Sequence, residues 1–263
     1  MNLFYAVFAI AAAIIFPGCQ TQSAQMANTA DPGVSNQSHA AKSPVLVELF
    51  TSEGCSSCPP ADRLLTSLDK DQMVNGAEVI TLGFHVDYWD HGGWRDRFSS
   101  AEYTRRQEAY VRRFGLDSSY TPQAVIDGAV EAVGNNRESV KDAISSAAAS
   151  PKAVISAEIV GDKLRIELSE IPAKQASTVY LAAAENGLVS NVSGGENSGS
   201  QLSHVSVVRE MRVVGKLDAG QTTAKMEAAL PVNSAWKAPN LRYVVFVQEN
   251  ASLKILGVKR ISK

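Results

Sequence analysis

Two cysteines three residues apart, Cys55 and Cys58, fall where a short apolar run, Val45 to Phe50, gives way to a helical repeat that begins at Pro59. A pair this closely spaced closes a very small ring. It is a poor clamp for a large domain, so its chemistry lies in redox exchange or metal binding. If the second cysteine lies in the first turn of a helix, unpaired amides and the positive end of the helix dipole favour a thiolate on Cys55, lowering its pKa from about 8.5. Cys58, one turn in, is then the resolving thiol that releases a mixed disulfide.

The flanks support that placement. Val45-Leu46-Val47-Glu48-Leu49-Phe50 reads as a strand buried on both faces, and Thr51 to Ser57 as a loop. After Cys58, the residues Ala61, Leu64, Leu65 and Leu68 recur three and four apart with Asp62, Arg63 and Asp69 opposite, and Pro59-Pro60 suits a first turn. Val79 to Phe84 reads as a second strand, Ser99 to Phe114 as a polar, arginine-rich, solvent-facing helix stopped at Gly115, and Asp127-Gly128 as the turn of a hairpin. A last helix runs through Val140 and Ile144 to Ser150. Strand, helix, strand, helix, hairpin, helix is the order of a thioredoxin fold.

Beyond Pro151 the pattern changes to alternating runs, Ala153 to Ile159, Lys163 to Leu168, Thr178 to Ala184 and Tyr243 to Gln248, with an exposed Gly/Ser/Asn loop expected from Asn191 to Ser200. The expected architecture is therefore an α/β thioredoxin-like domain over residues 44–150, followed by an all-β, sandwich-like domain over 151–263. Residues 1–19 read as an export signal, since Leu3 to Phe16 is apolar and ends in Pro17-Gly18-Cys19. Lipidation of Cys19 and ordinary cleavage remain alternatives. Residues 20–43, rich in Gln, Ser, Asn, Ala and Thr, read as a flexible tether.

Several neighbours bear on the cysteine chemistry. Thr121-Pro122 stands just before the hairpin, where thioredoxin folds carry a cis-proline that lays the preceding backbone beside the cysteines; an ordinary trans proline in a loop is the alternative. Glu48, inside the first strand, is a candidate to take the proton of Cys58 if burial raises its pKa; a partly exposed strand-end glutamate is the plain alternative. In the aromatic loop after the second strand, His85, Asp87, Trp89 and Trp94 are candidate substrate contacts, against a packing role for the aromatics and capping roles for His85 and the aspartates. A structural zinc takes four ligands, and His85, Asp87, Asp90 and His91 around the two cysteines match no familiar array, so no metal and no cofactor are expected.

Three stretches together resemble a family of secreted bacterial thioredoxin-like proteins whose domain has no assigned function. They are Val47-Glu48-Leu49-Phe50-Thr51-Ser52-Glu53-Gly54-Cys55-Ser56-Ser57-Cys58-Pro59-Pro60-Ala61-Asp62, then His85-Val86-Asp87-Tyr88-Trp89-Asp90 with Gly93-Trp94-Arg95-Asp96, then Thr121-Pro122-Gln123. The likeness continues through Gly195-Glu196-Asn197, His204-Val205 and Val207-Val208-Arg209, and the His204 to Arg209 segment is a candidate contact surface, with a strand pairing within the sandwich as the alternative. The resemblance implies a thioredoxin-like domain plus a β-rich domain, exported, with Cys55 and Cys58 as attacking and resolving cysteines and Pro122 as the cis-proline. Gly54 departs from the general thioredoxin pattern, which has an aromatic residue before the first cysteine.

The functional expectation is an exported thiol-disulfide oxidoreductase in the cell envelope, periplasmic or lipid-anchored, whose partners are exported proteins with thiols or disulfides and a redox partner protein. The alternative is an envelope binding module that keeps the fold without redox turnover. A formal charge of -2, a pI near 6.1 and the absence of any basic run exclude nucleic acid as a partner. Membrane contact is expected only through a lipid on Cys19.

Overall fold

The first strand, β1 (Val45–Thr51), is buried along its whole length, as its unbroken apolar run predicts. The structure is a computed structural model and describes residues 43–172 and 174–261, so the export signal and all but the last residue of the tether lie outside the described residues. After β1 come α1 (Pro59–Asp71), β2 (Met73–Val74), β3 (Ala77–His85), α2 (Ala101–Phe114), β4 (Gln123–Ile126), β5 (Val130–Val133) and α3 (Arg137–Ala147). The remainder is all strand apart from one short turn of helix: β6 (Val154–Val160), β7 (Lys163–Ser169), β8 (Ser177–Glu185), β9 (Leu188–Asn191), β10 (Gln201–His204), β11 (Val207–Leu217), β12 (Ala224–Ala229), β13 (Leu241–Glu249) and β14 (Ile255–Ile261).

The protein is a mixed α/β structure with one large mixed sheet and two small antiparallel ones. Along the large sheet the order is β14-β13-β8-β11-β3-β1-β4-β5, with β2 paired to β3 off that path. The change to an all-strand pattern at Pro151 falls between α3 and β6, yet the sheet runs across it. The seam is a parallel pairing of β11 with β3 at Val207 and Gly83, where the Gly83 amide donates to the Ser206 carbonyl at 2.8 Å. A short polar network locks it. Ser206 Oγ bonds Thr81 Oγ1 at 2.8 Å and Asp69 Oδ1 at 3.1 Å, while Asn186 donates to Asp69 and accepts from the Ser206 amide.

Alternation along the strands sorts the core into layers. Val45, Val47 and Leu49 face the apolar stripe of α1 (Ala61, Leu64, Leu65, Leu68) and α3 (Val140, Ile144). Leu46, Phe50, Leu82 and Phe84 face the other way, toward α2 and the Ala182, Val244 and Phe246 side of the later strands. The antiparallel sheet β12-β7-β6 packs Leu164, Ile166 and Leu168 on Leu181, Tyr243 and Val245. The remaining sheet is the β9-β10 hairpin. Between β4 and β5, Asp127 and Gly128 turn at positive φ as a tight turn needs, although the loop holds three residues because Ile126 pairs with Val130. Gly128 has no substitute there, since a Cβ would stand 1.9 Å from the Leu253 carbonyl oxygen.

Helix α2 corrects the expectation of a solvent-facing helix. It buries Tyr103, Gln107 and Tyr110, and Arg106 lies within 5.3 to 5.7 Å of the rings of Phe84, Tyr110, Tyr180 and Phe246. The guanidinium meets Glu48, Nε to Oε1 at 2.6 Å, with the Glu48 side chain fully buried. The Tyr110 hydroxyl also donates to Glu48, and Gln248 accepts from Arg106 at 3.1 Å. Breaking a buried pair strands a charge, which costs about 3 to 5 kcal/mol. Arg106→Met should therefore lower the free energy of unfolding by about that much, read from guanidinium denaturation with the slope unchanged.

Candidate functional site

Cys58 caps the start of α1, Pro59 and Pro60 take the first helical positions where no donor is required, and the Ala61 and Asp62 amides return to the Cys58 carbonyl at 2.8 and 3.1 Å. Cys55 and Cys58 are joined in a disulfide, with Cα atoms 5.4 Å apart. Both cysteines are fully buried, while Ser56 and Ser57 between them are exposed. The Thr121-Pro122 bond is cis. Ser57 Oγ lies 3.3 Å from Cys55 Sγ and 3.5 Å from the Thr121 carbonyl oxygen, so this backbone borders the disulfide.

Of the loop residues, Trp89 and Trp94 reach the cysteine motif. The Trp89 indole donates to Thr121 Oγ1 at 2.8 Å, and its Cβ would lie 3.1 Å from any Cβ on residue 54, so Gly54 leaves room for an aromatic supplied from elsewhere in the chain. Trp94 donates to Glu53 Oε2 at 2.8 Å. Asp87 does not join them; it accepts from Thr104 of α2 at 2.6 Å and fixes the loop to that helix. Glu48 does not join them either. Alternation turns it away from α1 to the α2 face, where Arg106 and Tyr110 hold it, so it is not poised to take the proton of Cys58.

The loop from the end of β9 to β10 is exposed at Asn191, Ser193, Glu196 and Ser198 to Ser200, as expected, but it also makes a contact not expected from the sequence. It lies on the cysteine motif as a strap. Asn197, 8% exposed, donates to the carbonyls of Glu53 at 2.9 Å and Cys55 at 3.0 Å, and the Glu196 carboxylate accepts the Ser56 amide at 3.0 Å. Gly194 and Gly195 fit against Gly93 and Trp94, where a Cβ on Gly194 would stand 2.3 Å from the Gly93 oxygen. These contacts span 140 to 144 residues of sequence. That separation hides Asn197 and Glu196 from any local motif; their one trace is the Gly195-Glu196-Asn197 stretch.

Around this motif lies a buried charged cluster of Glu53, Asp62, His85, Asp96 and His204. His85 Nδ1 meets Asp96 Oδ2 at 2.6 Å, His204 Nε2 lies 3.2 Å from Glu53 Oε1 without hydrogen-bond alignment, and the two imidazoles meet edge to face at 4.8 Å. Burial works against the charge of His85, but Asp96 outweighs it and the pKa is raised. Burial also opposes ionisation of Asp96, yet His85 and the amides of Glu53 and Phe98 hold it down at about 2. Glu53 likewise stays low despite burial, through His204 and Trp94. Among the described residues no group of three or more His, Cys, Asp or Glu is arranged to hold a metal ion. His85 and His204 belong to this interior rather than to the surface.

The family described as "Protein of unknown function (DUF1223)" matches residues 46–248. No curated protein matches. Among solved structures, the chain is similar to the crystal structure of protein AGR_C_4864 from Agrobacterium tumefaciens, at 28% identity over 84% of this chain and 94% of that one, with a TM-score of 0.69. It also resembles in fold HBP35 of Porphyromonas gingivalis, at 14% identity over 84% of this chain and 75% of that one, with a TM-score of 0.58.

Two outcomes follow from this geometry. Asn197→Ala removes two of the three strap hydrogen bonds and should speed reduction of the disulfide by dithiothreitol about thirtyfold, since each such bond is worth about 1 kcal/mol and about 1.4 kcal/mol is a factor of ten; an unchanged rate would show that the strap does not limit access. The His85 and Asp96 shifts set a pH window. The His85 contribution to stability is complete below about pH 6.5 and lost as pH rises through its raised pKa; that of Asp96 is present above about pH 4 and lost as pH falls toward about 2. Thermal melts between about pH 5 and pH 9 should show a midpoint that falls on the alkaline side, and His85→Gln should remove that fall.

Proposed function

The chain belongs to the DUF1223 family, and from that premise we propose that it is a thiol-disulfide oxidoreductase built on a thioredoxin-like core and working through Cys55 and Cys58. The observation that carries the reading is the disulfide at the start of α1 with the Thr121 backbone alongside it. When the pair is reduced, the helix start favours the Cys55 thiolate, which attacks a sulfur of a substrate disulfide and expels one substrate thiolate. Cys58, as thiolate, then attacks Cys55 Sγ, closing the internal disulfide and releasing the second substrate thiolate. Two electrons pass from the pair to the substrate, and the same steps in reverse oxidise a substrate dithiol.

The reading extends to place and partners. The apolar leader Leu3 to Phe16 fits export to the cell envelope, where thiol-bearing exported proteins and a redox partner protein would exchange with the pair. Thr121 and Trp89 border the site on the side open to Ser56 and Ser57, which suits them to substrate contact.

Cys58→Ser should accumulate mixed disulfides on Cys55, seen as adducts that vanish on reduction in non-reducing gels and intact-mass spectra, whereas Cys55→Ser should give none. If Cys58→Ser traps nothing and Cys55→Ser keeps the cellular function, the chain is a binding module instead.

A further inference from the structure

Resolution of a mixed disulfide requires Cys58 to lose its proton, and release of Cys58 in the reverse step requires it to regain one. Glu48 is on the wrong face for that work and is committed to Arg106. A different buried acid stands on α1 itself. Asp62 lies four residues after Cys58 on α1, and its amide donates to the Cys58 carbonyl at 3.1 Å, so this turn is regular helix. Residues four apart on a helix present their side chains to one face, with about 6 Å between Cβ atoms.

Asp62 also has an outlet. It is 8% exposed and lines a cavity of about 240 Å³ between the start of α1 and β10, together with Pro59, Thr66, Gln201, Leu202 and Ser203. The groups that act on its charge are His204 of β10, His85 of β3, Thr51 at the end of β1 and Asp96 of the aromatic loop, all buried, and Glu53 lies 3.2 Å from His204. Burial pushes the Asp62 carboxyl above the ordinary carboxylate range, and the charges of His204 and His85 pull it back only in part. The neighbouring Arg63 lines the same cavity.

We propose that Asp62 is the group that exchanges a proton with Cys58 during thiol-disulfide exchange, and that the cavity beside β10 is the route by which that proton reaches solvent. The inference rests on the oxidoreductase reading. In the resolving step the Asp62 carboxylate accepts the proton of the Cys58 thiol, the Cys58 thiolate bonds to Cys55 Sγ, and the substrate sulfur leaves with the electron pair of the mixed disulfide. The protonated Asp62 then returns its proton to water in the cavity. In the reverse direction a substrate thiolate bonds to Cys55 Sγ, the Cys55–Cys58 bond breaks, and Asp62 protonates the departing Cys58.

The test is to mix reduced protein with bis(2-hydroxyethyl) disulfide, quench with acid, and follow by mass the adduct on Cys55 and its closure to the internal disulfide. Asp62→Asn should slow closure at least about tenfold near neutral pH and move the midpoint of its pH profile up to that of an unassisted thiol, about 8.5. In the Cys58→Ser background, where no Cys58 proton moves, Asp62→Asn should leave adduct formation on Cys55 unchanged. Closure that is as fast in Asp62→Asn, or an equal slowing of adduct formation in the Cys58→Ser background, would overturn the inference while the oxidoreductase reading stood. Finding neither adduct nor internal disulfide in the unsubstituted protein, and no adduct in Cys58→Ser, would overturn both. Should Asp62→Asn not fold, a closure rate in the unsubstituted protein that rises only about pH 8.5 would overturn it.

Discussion

The seam at Gly83 and Val207 is the contact on which the rest of the arrangement depends. One parallel pairing and the Ser206, Thr81, Asp69 and Asn186 network join the strands after Pro151 to those before it. His204 lies just before that seam and the strap just before His204. Fixing Val207 beside Gly83 therefore carries Asn197, Glu196 and His204 to the cysteines. A backbone bond and a hydroxyl network define a register more sharply than apolar contact does, because they have direction as well as proximity. The site is thus composite, with its sulfur atoms from one half of the chain and its cover from the other.

Much of this was legible in the sequence, and for a common physical reason. Cys55, Cys58, the stripe of α1, the cis Pro122 and the turn at Asp127-Gly128 are local signals, each set by spacing over a few residues. What escaped is non-local or polar. The stripe of α2 is Tyr103, Arg106, Gln107 and Tyr110, which has helical spacing but no run of aliphatic residues, so its buried face passed for a wet one. Glu48 sits in a strand buried on both faces, where alternation fixes the direction of a side chain but composition does not say which face carries the helix with the cysteine. The strap reads as a loop because its Gly, Ser and Asn content suits a turn in solvent equally well as a close fit to Gly93.

Buried ion pairs recur where separate elements meet. Arg106 with Glu48 ties α2 to β1, and Lys152 with Asp127 ties the chain just past Pro151 to the hairpin turn. His85 with Asp96 fixes the aromatic loop to the end of β3, and the Asp96 carboxylate also accepts the Glu53 amide at 2.9 Å, next to the cysteine motif. Such pairs add little stability over well-packed apolar groups, because desolvating the charges cancels most of their attraction. Their consequence here is geometric. Each makes one docking of two elements far better than a neighbouring one, where a charge would be stranded without its partner.

The strap brings a carboxylate to the end of α1 that carries the cysteines. The start of α1 presents the positive end of the helix dipole, its Ala61 and Asp62 amides being held by the Cys58 carbonyl, and the Glu196 carboxylate of the strap accepts the Ser56 amide just ahead of it. A thiolate formed on Cys55 would be stabilised by that same end of the helix, and a carboxylate next to it would oppose it. Glu196 is exposed, so solvent screens part of that repulsion. The Glu196 carboxylate therefore sits better beside a neutral disulfide than it would beside a thiolate on Cys55.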